Sequence, residues 1–476
     1  MNAFVFILLI FFLINMACAF FLIFIERKDP TTTWAWLLIF ILLPGIGFLI
    51  YIILGQNFSR QKLFRDKIIN DRYKKKKLNS ILNDNSGHDG GKQFLDLRKM
   101  NFNNSGARYT IGNEVDIFID GEEKFKQLLE DIKNAKKFIH IEYYIFKKDF
   151  IGTKIIEALE ERLLNGVEVR LLVDSMGSYT MTKKKLEVFL KLGGKFAIFF
   201  PGILPHINTR VNYRNHRKIV VIDGKYGYVG GFNVGDEYIN RDKKIGFWRD
   251  THVRIKGDAV NDLNERFLLD WCYASEEAIG DLNRFMIEKD YRKGDVGIQI
   301  VTSGPDHNEE YIKNAYIKMI NNAKKNVYLT SPYFIPDEPV FEAIRIAALS
   351  GVDVRILVPG KPDHKFMKWA ADSYIGGLLK AGAKVYYYQH GFIHAKTLVV
   401  DSSVVSIGTA NMDMRSFYLN FEVNAFIFDE NQAKICENQF MKDLEESVEV
   451  NLGYFMKRPK GQRIMESIVR LLSPIL

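Results

Sequence analysis

His216-Arg217-Lys218-Ile219-Val220-Val221-Ile222-Asp223 has the form HxKxxxxD and is followed by Gly230-Gly231-Phe232-Asn233. The pattern returns as His394-Ala395-Lys396-Thr397-Leu398-Val399-Val400-Asp401, followed by Gly408-Thr409-Ala410-Asn411. The His-to-Asn separation is 17 residues in both copies. One such pattern is weak; two with matched downstream Gly and Asn are highly specific. The β-branched run between Lys and Asp reads as a strand, along which side chains alternate faces. His216 and Lys218 therefore project together, with Val220 and Ile222 beneath them. Asp223 has the opposite parity and ends the strand, which points to a structural role, and the same holds for Asp401.

Working outward, the chain is duplicated. Asn134-Ala135-Lys136-Lys137 precedes the apolar run Phe138–Phe146, as Asn322-Ala323-Lys324-Lys325 precedes Val327–Ile335. Gly166–Val173 (GVEVRLLV) matches Gly351–Val358 (GVDVRILV). Each unit alternates apolar runs with helical stretches such as Lys154–Leu164, which predicts two similar α/β domains, each with a largely parallel sheet. An active site at their pseudo-twofold interface follows. From Gly193 to His216 is 23 positions, against 12 from Gly382 to His394. The first half thus carries an insertion within about Phe200–Asn212, placed to line the mouth of the site.

Two imidazoles, two ammonium groups and two carboxamides then converge, a set suited to a phosphodiester. Lys218 and Lys396 neutralise the non-bridging oxygens, and Asn233 and Asn411 donate hydrogen bonds to them. One neutral histidine attacks phosphorus while the other, protonated, donates to the leaving alkoxide. His216 is taken as the attacking group and His394 as the acid, although the residues themselves do not fix the order. No metal or other cofactor is required, because the lysines supply the positive charge. Each histidine needs an acceptor for its other nitrogen. Asp250 and Glu422, which begin equivalent strands after the Gly–Asn element, fill that role.

Of 476 residues, 47% are hydrophobic and 26% charged, and the formal charge is +9 from 66 basic and 57 acidic residues. This is a globular composition, not a disordered one. Cys18, Cys272 and Cys436 make neither a disulfide scaffold nor a zinc site. The first 59 residues hold only Glu26, Arg27, Lys28 and Asp29, which sum to zero. Met1–Ile25 and Pro30–Ser59 are charge-free, and each is long enough for a helix through a hydrocarbon core of about 30 Å. They predict a transmembrane helical hairpin over 1–59. Arg60, Lys62, Arg65, Lys67, Arg72 and Lys74–Lys77 follow it and place the catalytic part on the cytoplasmic side of the cell membrane. A basic linker over 60–112, a first domain over 113–290 and a second over 291–476 complete the organisation. The terminal Ile464, Ile468, Leu471, Leu472 and Ile475, behind Lys457-Arg458-Pro459-Lys460, read as a basic amphipathic helix lying on the membrane.

These motifs are those of the phospholipase D superfamily. Together with ERKDPTTTWAW in the hairpin, FWRDTHVRIKG, and SIGTANMDMRSF, they resemble the bacterial cardiolipin synthases within it, over essentially the whole chain. The resemblance implies transfer of a phosphatidyl group from one phosphatidylglycerol to another, giving cardiolipin and glycerol. It implies catalytic roles for His216, Lys218, Asp223, His394, Lys396 and Asp401. Anionic membrane lipids, not nucleic acid, are the implied partners; oligomeric state is left open. The same chemistry serves a phospholipase D-type hydrolase, a phosphatidylserine synthase or a nuclease, and the hairpin argues against the last. A non-enzymatic membrane scaffold would fit degenerate HxK motifs, and both are intact.

Overall fold

The computed structural model describes residues 3–26, 30–43, 94–201, 212–242, 245–275, 294–307 and 309–471. It also describes the isolated positions 47, 51, 64, 67–68, 71, 277, 283–285 and 473. The first half contributes β1 (Tyr109–Phe118), β2 (Phe138–Tyr143), β3 (Glu168–Asp174), β4 (Lys195–Phe199), β5 (Arg214–Asn215), β6 (Ile219–Ile222), β7 (Tyr226–Gly230), β8 (Trp248–Arg249) and β9 (His252–Lys256). The second contributes β10 (Val296–Ser303), β11 (Asn326–Thr330), β12 (Phe334–Ile335), β13 (Asp353–Pro359), β14 (Lys384–Tyr388), β15 (Phe392–Ile393), β16 (Thr397–Val400), β17 (Val404–Gly408), β18 (Met412–Asp413), β19 (Asn420–Phe428) and β20 (Ser447–Glu449). The order β4-β3-β2-β6-β7-β9-β1 in one half mirrors β14-β13-β11-β16-β17-β19-β10 in the other. The two runs are fused where β1 pairs antiparallel with β10, so one sheet crosses the whole catalytic part.

The predicted parallel sheet is correct for only three strands of each half. β2, β3 and β4 run parallel, as do β11, β13 and β14, because helices cross between them. The helix Phe150–Leu164 is capped by Asp149, and its counterpart Glu338–Leu349 by Asp337. These parallel strands are covered on both faces, which is why β2 (FIHIEY) is buried at every position. The remaining strands are antiparallel, since β6 and β7 are joined by a tight turn at Asp223-Gly224 with no room for a crossover.

The segment read as a linker through residue 112 is structured near both ends. The helix Leu95–Ser105 buries Leu97 against the second half's core. Phe64 packs edge-on against Tyr213 and Phe421. Lys67 is fully buried, with its ammonium 2.6 Å from Asp71, 2.8 Å from Asp306 and 3.8 Å from Asp270. Arg266 and Arg217 also pair with Asp270, so three cations face three carboxylates. That balance makes burying the group tolerable. Lys67, read from the sequence as part of a topology signal, is a packed residue.

In the hairpin, helices Ala3–Phe21 and Pro30–Leu42 lie together, with the Asn15 amide donating to the Phe40 carbonyl at 3.1 Å and Leu22 packed with Phe40 and Tyr51. Among the described residues no helix is long and apolar enough to cross a membrane. The expected pair of spans is thus not displayed by the helices themselves, and most of Pro44–Ser59 lies outside the described residues. The same is true of 202–211, the bulk of the insertion. The C-terminal helix Lys460–Arg470 buries Glu466 and Val469 on the second half and turns Ile464, Ile468 and Leu471 outward. Cys272 and Cys436 are buried, as small core residues would be.

Candidate active site

The strand bearing each HxK is broken where the chemistry begins. β5 pairs in parallel with β19, Arg214 against Asn420 and Asn215 against Phe421, before β6 starts at Ile219. The His216 amide donates to the Phe421 carbonyl at 2.9 Å. The second copy is built the same way. β15 pairs in parallel with β8, and the His394 amide donates to the Arg249 carbonyl at 2.7 Å. In each case the ladder runs into the other half. The residue after Phe421 is Glu422 and the residue after Arg249 is Asp250, so each histidine meets the opposite half's acid.

His216 Nδ1 lies 2.9 and 3.0 Å from the two Glu422 oxygens. His394 Nδ1 lies 2.6 Å from Asp250 Oδ2. Asp250 is held by the Thr251 amide at 2.7 Å, and Glu422 by the Asn420 side chain at 3.2 Å. A Cβ at Gly231 would sit 1.9 Å from Asp250 Oδ1, which explains the glycine after Gly230. With both Nδ1 atoms on carboxylates, the Nε2 atoms are the reactive ones. Lys218 donates to the His216 carbonyl at 2.7 Å, and Lys396 donates to the His394 carbonyl and comes within 2.8 Å of His394 Nδ1.

All six groups are buried. Burial, with help from Lys396, pushes the Lys218 ammonium down to about 7; burial alone brings Lys396 to about 8, against the pull of Asp250 and Glu422. Burial and Lys396 bring His394 to about 3, and burial with both lysines lowers His216. Burial opposes ionisation of Asp250 and Glu422, yet the neighbouring lysines and histidines hold both carboxyls below their ordinary range. The site without an anion therefore disfavours charge on the imidazoles and on the lysines while favouring ionised carboxylates, and an incoming anion would favour the protonated forms of both bases.

Asn233 and Asn411 stand just beyond the glycine ends of β7 and β17. Asn233 accepts from the Ile145 amide and donates to the Tyr238 hydroxyl, each at 3.1 Å. Asn411 donates to Asp413 at 3.0 Å. Each amide NH2 has a second hydrogen beyond these bonds.

Asp223 and Asp401 do not belong to this cluster. Asp223 accepts the backbone N–H groups of Lys136, Lys137 and Phe138 at 2.7–3.0 Å. Asp401 does the same for Lys324, Lys325 and Asn326 at 2.7–3.1 Å. Both sit at positive φ in the turn after the strand, 56° and 53°. Five extended residues put them about 16 Å from the lysine of their own motif. The opposite parity of Asp in the pattern announces this placement, with both carboxylates, for which the resemblance implies catalytic roles, on backbone N–H groups.

The motif pattern misses several neighbours. The Tyr144 ring centre is 5.0 Å from that of His216, and the Trp248 ring is 5.1 Å from that of His394. Arg217, the variable residue of the first HxK, is fully buried and binds Asp270 at 2.6 Å, with the Glu422 and Ser303 carbonyls each at 3.1 Å. Asp413 is buried beside Asn411, and burial pushes its carboxyl up to about 6.

Residues 128–271 and 316–444 match the family described as cardiolipin synthase, PLD-like domain, and residues 13–56 match phospholipase D-nuclease N-terminal. The chain is 54% identical over 456 residues to a cardiolipin synthase of Clostridium perfringens, covering 95% of this chain and 96% of that protein. It is 49% identical over 476 residues to the major cardiolipin synthase ClsA of Bacillus subtilis, covering 98% of each. Among solved structures, phosphatidylserine synthase of Haemophilus influenzae superposes with a TM-score of 0.60 at 15% identity, over 81% of this chain and all of the other, which is a likeness of fold. The doubled HxK site and its crossed carboxylates thus sit in a chain that belongs to the cardiolipin synthase family of PLD-like proteins.

Proposed function

We propose that the protein transfers a phosphatidyl group from one phosphatidylglycerol to a second, releasing glycerol and forming cardiolipin. The observation that carries this reading is the crossed arrangement of two histidine–carboxylate pairs around two buried lysines, in a family whose members are named for this product. One neutral histidine attacks the phosphorus of the donor through Nε2. The P–O bond to glycerol breaks, and the other histidine, protonated, gives its proton to the departing oxygen. The glycerol hydroxyl of the second lipid then returns its proton to that histidine. Its oxygen attacks phosphorus and the P–N bond breaks, restoring the neutral attacking imidazole beside the protonated one. Lys218 and Lys396 offset the charge on the non-bridging oxygens throughout, and Asn233 and Asn411 add hydrogen-bond donors there.

The substrate is insoluble, and the N-terminal part supports delivery to it. The helix Ala3–Phe21 continues into a turn ending at Glu26, and Phe12, Phe20, Phe24, Trp34, Ile41 and Leu42 are turned outward. An exposed apolar surface of this kind is suited to lipid. We place this hairpin in the cell membrane with the catalytic part on the cytoplasmic face, and the outward Ile464, Ile468 and Leu471 of the C-terminal helix against the same leaflet.

Vesicles of phosphatidylglycerol given the protein and no nucleotide should yield cardiolipin and free glycerol in equal amounts. Phosphatidic acid as the sole lipid product would replace transfer by hydrolysis.

A further inference from the structure

The pseudo-twofold relates the catalytic groups but not their surroundings. The two motifs lie 178 residues apart, and at that offset Arg214 corresponds to Phe392 and Arg415 to Glu237. On the His394 side the site is walled by rings, Trp248 at 5.1 Å and Phe392 at 6.0 Å between ring centres, and Glu237 is paired with Lys147 at 2.5 Å. On the His216 side two arginines stand instead. Arg214, two residues before His216, donates to the Tyr213 carbonyl at 2.9 Å. Arg415, from the second half, donates to the Asn212 carbonyl at 3.2 Å. Successive carbonyls of one short stretch therefore hold a guanidinium from each half side by side.

This pair adjoins the catalytic groups. Tyr144 feels the charge of both arginines, and its ring lies 5.0 Å from the His216 ring and 5.6 Å from Lys218 Nζ. Asp413 and Asp174, which also act on Arg415, are themselves hydrogen-bonded close by. Asp174 accepts the amides of Met176, Gly177 and Asn215 at 2.8–3.0 Å, and Asp413 accepts from the Ser416 amide and from Asn411. Both arginines remain partly open to solvent. Two cations held together beside a pocket whose lysines already serve one phosphate are arranged for a second anion.

The reaction supplies such an anion only in its second step. The donor's phosphodiester occupies the Lys218–Lys396 pocket. The acceptor lipid brings its own phosphodiester, separated from the attacking hydroxyl by a three-carbon bridge, close to that pocket but outside it. The geometry points to Arg214 and Arg415 as the site that binds the phosphodiester of the acceptor phospholipid, an assignment that rests on phosphatidyl transfer between two lipids. Free glycerol as acceptor carries no phosphate and makes no use of this site.

The test compares two reactions of the full-length protein in phosphatidylglycerol vesicles: cardiolipin formation, and exchange of labelled free glycerol into phosphatidylglycerol. In Arg214→Gln and Arg415→Gln the ratio of cardiolipin formation to exchange should fall by about ten-fold or more, the loss expected for a charge-assisted hydrogen bond. Arg214→Lys and Arg415→Lys, which keep the charge, should recover part of it. A ratio equal to wild type in the Gln variants overturns the assignment; should the Gln variants lose both reactions, the uncharged Arg214→Met and Arg415→Met take their place, and a wild-type ratio there overturns it. Wild-type protein that makes no cardiolipin at all would instead overturn the transfer reading beneath it.

Discussion

At the scale of single residues, the site works by making charge scarce and then placing it. His216 and His394 are buried beside ammonium groups, which opposes their protonation; the attacking imidazole must be neutral to reach phosphorus, and the charge of a bound phosphodiester favours the proton on the other. Lys218 and Lys396 are depressed to about 7 and about 8 by burial first. Their protonated forms bind an anionic phosphodiester, and they hold those protons only below these values. The profile of kcat/KM, which reports the free enzyme, should therefore fall by about ten-fold per pH unit between about 7 and 8 and tend to about a hundred-fold per unit beyond, where both protons are lost. A profile that stays flat to about pH 10 would show that the lysines keep ordinary values and that burial does not govern them.

At the scale of elements, much of the site was legible in the chain and part was not. The repeated HxK, the strand behind it and the outward parity of Asp223 and Asp401 follow from alternation along β6 and β16, four-residue strands buried at every position except the half-buried Thr397. Aligning the repeats also finds Asp250 and Glu422. Which acid serves which histidine was hidden, because the crossing depends on β5, β8 and β15, each of two residues and too short to leave a period. The arginine pair was hidden for a similar reason: Arg214 and Arg415 are 201 positions apart, and nothing local in the sequence joins them. The turn after β6 is itself testable. Asp223 binds three backbone N–H groups that would otherwise lose their acceptor, so Asp223→Ala should lower unfolding free energy by about 1–3 kcal/mol in denaturant melts. Transfer per folded molecule should persist. Unchanged stability with lost turnover would return Asp223 to the chemistry.

At the scale of the whole molecule, the +9 formal charge is borne by the catalytic part while the hairpin is neutral, a distribution that favours an anionic bilayer. The duplicated halves share one sheet, and neither completes a site alone: His216 depends on Glu422 and His394 on Asp250. The buried Lys67 ties the segment after the hairpin to Asp270 and, through it, to Arg217 between His216 and Lys218. The segment after the hairpin and the reactive centre are thus joined by one buried ionic network. The crossed pairs point to a covalent phosphohistidine at this composite site. Mixing the protein with phosphatidylglycerol labelled in its phosphate, quenching in alkali and mapping the protein-bound label should find it on the peptide of His216 or of His394, and His216→Ala or His394→Ala should make no cardiolipin. Cardiolipin formed at full rate by either variant, or turnover with no label on either peptide, would rule the phosphohistidine out.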